Sequence, residues 1–132
     1  MTDRPTPALQ AGFARWVDSI CKREIPPEAV AFSFNLAETS DSFVIDLIGA
    51  PRFDALDQDW ACDDVFRVPD AHFELPYGDV GRQWEPVLAL AIALVRQYLG
   101  DATNAGERLR MSQAVGVGFV DGDLEVVWPT RH

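Results

Sequence analysis

The sequence predicts an α+β fold: an antiparallel sheet of about five strands with two helices packed on one face, in the order α-β-β-β-α-β-β. Three observations predict it. Two stretches, one after Pro7 and one from Trp84 to Leu99, repeat apolar residues at helical spacing. Residues 30–47 alternate apolar and polar side chains in two runs separated by a polar turn. A second alternating pair brackets Asp121-Gly122, a dipeptide suited to a tight hairpin turn.

The elements follow in chain order. Thr6-Pro7 is a helix start, a hydroxyl N-cap followed by proline at the first helical position. Leu9, Phe13, Trp16, Val17 and Ile20 then form one apolar face, and Pro26-Pro27 requires the helix to stop earlier. Val30, Phe32, Phe34 and Leu36 point one way in the first strand, with Ala31, Ser33 and Asn35 opposite. A polar turn, Glu38 to Ser42, leads to a second strand through Phe43, Ile45 and Leu47. Val65 to Val68 and His72 to Leu75 read as a third short strand broken by Pro69, and 76–79 as a turn. The helix from Trp84 is apolar on most sides, tolerates Pro86 in its first turn and ends at Gly100. A two-residue turn at Asp121-Gly122 would pair Phe119 with Leu124, Val117 with Val126 and Val115 with Trp128. Gly116 and Gly118 would lie on the other face, open to close approach by another backbone.

Length and composition fit one domain over residues 1–132 with a real core: the chain has 132 residues, 48% of them apolar and 11% aromatic. Cys21 and Cys62 are far apart and in no metal-binding spacing, which suits a reducing compartment. The first residues hold no apolar signal core, and no uncharged apolar run nears the roughly 18 residues of a membrane span. A cytoplasmic protein with no membrane association is expected.

Charge is the most uneven property. Residues 38–79 hold eleven acids against Arg52 and Arg67, nine of the ten net negative charges. The densest part, Asp54, Asp57, Asp59, Asp63, Asp64 and Asp70, is interleaved with Phe53, Trp60 and Phe66. It falls mostly within a long acidic loop at about 49–64, a length that marks functional or partly disordered segments. The net charge of −10 argues against nucleic acid and anionic membranes as partners, because the Coulomb interaction would be repulsive. A basic protein partner is favoured, with Asp57, Asp59, Trp60, Asp63 and Asp64 as the docking residues. The competing reading is a solvated loop whose aromatics plug the core.

Motifs of chemistry are weak. Asp57-x-Asp59 opens like a calcium loop, but Ala61, Cys62 and Val68 stand where an oxygen ligand, a glycine and a glutamate are needed. No metal and no cofactor is expected. His72 and His132 are the only histidines, and no nucleophile signature accompanies them. His72 reads as a half-exposed strand residue and Cys62 as a buried structural thiol. Val115-Gly-Val-Gly118 lacks the third glycine and the following helix of a phosphate loop. Arg108 and Arg110 form a small basic cluster that balances acids or solvates a loop. No catalytic residue is assigned, and a carboxylate- or metal-dependent enzyme remains the reading from a different class.

The stretches Asp57-Gln-Asp-Trp-Ala-Cys-Asp-Asp64 and 115–125 resemble small, acidic, largely uncharacterised bacterial proteins encoded beside polymorphic toxins as immunity proteins. That resemblance implies a non-enzymatic module neutralising a basic toxin, and it carries no site residues with it. Size, acidity and element order also partly resemble class I type III secretion chaperones, which would imply a homodimer. Those proteins end in a helix that packs the dimer, whereas this chain is expected to end in a strand. Monomer and homodimer both stay open.

Overall fold

The computed structural model describes residues 5–69, 71–101 and 103–129. Its first helix, α1 (Pro7–Cys21), begins as the sequence requires. Thr6 is extended, and its hydroxyl accepts from the Leu9 amide at 3.1 Å. Phe13, Val17 and Ile20 turn inward. Strands β1 (Ala31–Glu38) and β2 (Ser42–Ala50) form the expected antiparallel hairpin, closed by Thr39, whose N–H donates to Ser42 O at 2.8 Å.

Two short strands, β3 (Phe66–Arg67) and β4 (Phe73–Pro76), share the outer edge of β2. They are the two halves of the expected third strand, separated around Pro69, so among the described residues the sheet has six strands instead of about five. A single-turn helix α2 (Tyr77–Val80) replaces the turn after Pro76. Helix α3 (Trp84–Gly100) follows, then another single turn, α4 (Glu107–Arg110), and the closing hairpin of β5 (Ala114–Phe119) and β6 (Leu124–Trp128).

The sheet is mixed, a correction to the antiparallel expectation. Its order is β3-β2-β1-β5-β6, and β5 runs parallel to β1. The route of the chain dictates this direction. Strand β4 ends beside Ser42, at the end of the sheet where β1 also ends, and α3 carries the chain back to where β1 starts. Ala114 therefore pairs with Ala31, and β5 retraces β1 in the same sense.

The closing hairpin also departs from expectation. Val115 pairs with Trp128 as foreseen, but nearer the turn Gly116 faces Val126, Val117 faces Glu125 and Gly118 faces Leu124. A bulge between the two registers takes up the difference. The one-residue slip moves Leu124 to the face away from the helices, and Val127 is drawn into the helix-side core. The glycines of β5 receive β6 itself. A Cβ on Gly118 would stand 2.6 Å from Asp123 O, and one on Gly116 would stand 3.0 Å from the Leu124 side chain.

The fold is α+β with both long helices on one face. There, Phe32, Phe34 and Leu36 of β1, their neighbours on β2 and β5, and the inward residues of α1 and α3 make one core. Phe13 sits at its centre, 5.7 Å from Phe34 and 5.4 Å edge-on from Phe73. Trp16 joins this cluster and donates its indole N–H to Ala71 O at 2.8 Å, which ties down the approach to β4.

Polar contacts lock the rest. Tyr98 of α3 donates its hydroxyl to Asp18 of α1 at 2.6 Å, and the same carboxylate accepts from the Ala105 amide at 3.1 Å. Arg108 donates to Pro26 O and Ala29 O, both at 2.9 Å, with its guanidinium 5.5 Å from the Phe32 ring. Arg110 donates to Asn104 Oδ1 at 2.8 Å. The basic pair is therefore internal bracing, not a balance for the acidic segment.

Burial lifts the Cys21 thiol from its ordinary value of 9.0 to about 11. Burial, together with the hydrogen bond to Asp18, lifts the Tyr98 phenol above its ordinary 10.0. Both groups keep their protons longer in the folded chain than in the unfolded one, so the stability these two contribute is fully present below about pH 9 and is lost as pH rises. Chemical denaturation at stepped pH should show a midpoint that declines between pH 9 and 11. In Cys21→Val the part of the decline that begins near pH 9 should vanish, leaving the Tyr98 part that begins near pH 10.

Candidate functional site

On β1 and β5, the face of the sheet away from the helices carries small residues. Ala31, Ser33 and Asn35 of β1 lie beside Ala114, Gly116 and Gly118 of β5. Such a face leaves room for one bulky group, and the acidic segment supplies it. Residues Gln58–Cys62 form a 3-10 turn that lays Trp60 over Ala31, Ile48 and Ala50. Trp60 is only 1% exposed, and Phe53 stands edge-on to it at 5.3 Å. Leu124, turned to this face by the register slip, packs against the same cluster.

Hydrogen bonds hold the turn in place. Asn35 donates its side-chain amide to Ala61 O at 3.2 Å, and its own oxygen accepts from Ser33 at 2.5 Å. Gln58 Oε1 accepts from the Leu124 amide at 3.0 Å. The Val65 amide donates to Gly49 O at 2.8 Å, closing the segment back onto β2. The long loop expected at 49–64 is thus an ordered cover. Strand β2 runs to Ala50, and the rest is fastened through Trp60.

The expected docking residues separate into two groups. Asp57, Asp59, Asp63 and Asp64 are exposed, as is Asp54, and together they form a ridge. Trp60 points the opposite way, into the core, so its ring anchors the ridge and is not offered to a partner. Several carboxylates also have local structural work. Asp57 caps the 3-10 turn, accepting from the Asp59 amide at 3.0 Å, and Asp54 accepts from the Leu56 amide at 2.9 Å. Asp63 pairs with Arg52 at 3.0 Å, and Arg67 pairs with Asp46 of β2 at 2.9 Å. Both pairs are exposed and contribute little stability. Between Asp54 and Asp57 projects Leu56, 98% exposed.

The remaining sequence candidates lie elsewhere. Cys62 is exposed, contrary to the buried thiol expected, because Trp60 and Ala61 take the inward positions of the turn. His72 is exposed just before β4, its Nε2 4.0 Å from Glu74. Asp70 and His132 lie outside the described residues. Among the described residues, no three His, Cys, Asp or Glu side chains converge as metal ligands would. Nor is any described helix long and apolar enough to cross a membrane.

Sequence reasoning missed a second feature. Where β1 and β5 end, the first turn of α3 overhangs the sheet and leaves a cleft of about 590 Å³. Trp84 and Phe119 form its aromatic wall, and Glu38, Asp121 and Asp123 stand around it. Trp84 is 53% exposed, unusual for so large an apolar ring. Its position at the first residue of a helix, outside the apolar face that starts at Val87, was the available signal.

No protein-family model, curated protein or solved structure matches this chain.

The anchoring role of Trp60 has a measurable consequence. Trp60→Ala should cost about 3–5 kcal/mol, the usual range for deleting a buried large aromatic. Hydrogen exchange should quicken most at the Asp63 and Val65 amides, which bond to Trp60 O and Gly49 O. Unchanged protection at both amides would mean that the ridge is held by something other than the indole.

Proposed function

We propose that this protein is a non-enzymatic binding module whose acidic ridge docks a basic protein. The supporting observation is that Asp54, Asp57, Asp59, Asp63 and Asp64 are exposed on a segment pinned by the buried Trp60. A solvated loop would present the same charge in many arrangements. A pinned ridge presents it in one, and so pays less ordering entropy on binding. Leu56 adds an apolar contact amid the carboxylates. On the resemblance of residues 57–64 and 115–125, the reading extends to an immunity protein that occludes the basic cleft of a toxin such as a nuclease. Opposite potentials would speed association, and desolvated apolar contacts would hold the complex.

The test is capture of a partner from host lysate, its identification by mass spectrometry, and association kinetics with the purified pair. Replacing Asp59, Asp63 and Asp64 together by Lys should shift stability by no more than about 1 kcal/mol, since among the described residues only the exposed Arg52–Asp63 pair is lost. Association at low salt should slow by roughly tenfold or more. Unfolding of the triple variant, or an unchanged association rate, would remove the ridge as a docking surface.

A further inference from the structure

We infer that the cleft between α3 and the β5–β6 turn is a receptor for a single arginine side chain of a protein partner. The inference deepens the docking reading and rests on it for the partner's basic character. Its floor and wall are apolar: Leu88 and Phe119 line it, and Trp84 stands edge-on to Phe119 at 6.2 Å. Its rim is anionic: Glu38 closes β1, and Asp121 and Asp123 lie in the hairpin turn. Among the described residues, none of these three carboxylates has an Arg or Lys within ion-pair distance. The base nearest in sequence to Trp84 is Arg82, and its guanidinium lies 4.5 Å from the Tyr77 ring.

An aromatic face beside uncompensated carboxylates is complementary to a cation. Guanidinium suits it better than ammonium. It is planar, stacks on indole, sheds water more readily and offers a fork of N–H donors to carboxylates. At about 590 Å³ the cleft has space for such a side chain. It is linked to the acidic ridge through the β5–β6 hairpin. The Leu124 amide, next to Asp123, donates to Gln58 of the 3-10 turn, so the hairpin that bears Asp121 and Asp123 is fastened to the turn that carries the ridge. A basic partner lying along the ridge would meet the cleft at the β5–β6 turn. There a buried arginine would give the complex a directional anchor that surface charge alone lacks.

The probe is acetyl-Gly-Arg-Gly-amide, compared with the same peptide carrying neutral citrulline, and followed by NMR on the full chain. The arginine peptide should shift the Trp84 indole N–H and the Gly122 amide saturably, with at least tenfold weaker binding for the citrulline peptide. Trp84→Ala and the Asp121→Asn/Asp123→Asn double variant should each weaken it at least tenfold. The side chains changed are exposed, and retained dispersion of the other amide signals establishes that each variant is folded. The Asp59, Asp63 and Asp64 charge-reversal variant should still bind the peptide at the cleft, which separates failure of this site from failure of the ridge. Equal binding of the citrulline peptide, shifts confined to ridge amides, or the same shifts from calcium alone would each overturn the inference.

Discussion

Strand β1 carries two faces of unequal bulk, and the arrangement of everything else depends on that inequality. Phe32, Phe34 and Leu36 project toward the helices, where only two long apolar helices can cover them. Ala31, Ser33 and Asn35 project the other way, joined by Ala114, Gly116 and Gly118 of its parallel neighbour. A sheet with one thick and one thin face cannot be clad alike on both sides. The thick face takes α1 and α3. The thin face takes the Trp60 indole, the short turn that delivers it, and the Phe53 and Leu124 side chains packed beside it.

This division lets an acidic segment belong to a stable protein. Bringing many carboxylates together is unfavourable unless they stay hydrated. Here the 3-10 turn places Trp60 and Ala61 against the sheet and leaves Asp57, Asp59, Asp63 and Asp64 in water. The apolar contact and the charge display therefore come from alternate positions of one short stretch. The same economy recurs at the β5–β6 turn. Leu124 fills space beside Trp60, and the neighbouring Asp123 faces the cleft.

Much of this was legible in the sequence. Helical spacing located α1 and α3, the Thr6-Pro7 pair located the first cap, and strand alternation located the β1–β2 hairpin. Charge counting located the ridge. What escaped reading was non-local. Alternation identifies a strand but not its neighbour, so nothing near β5 announced that it would run beside β1, some eighty residues earlier. The turn after Phe119 uses more residues than Asp121-Gly122 alone, and no local pattern marked the resulting slip. The inward fate of Trp60 did leave a trace. A strand with alanine, serine and asparagine on one face, beside glycines at alternate positions of another, leaves a vacancy of about an indole's size. That trace spans two distant segments and becomes visible only once they are paired.

The parallel pairing of β1 with β5 also fixes when the protein can become complete during synthesis. Strand β1 finds β2 almost at once, across a turn of three residues. Its other edge stays open until β5, which begins only at Ala114, has left the ribosome. Throughout that interval β1, with Phe32 and Phe34, keeps one edge unpaired, the kind of edge that invites pairing with other chains. The final hairpin is thus the closing seam of the whole sheet, and the ridge can be fully seated only after that seam is made, since Leu124 supports the turn that carries it.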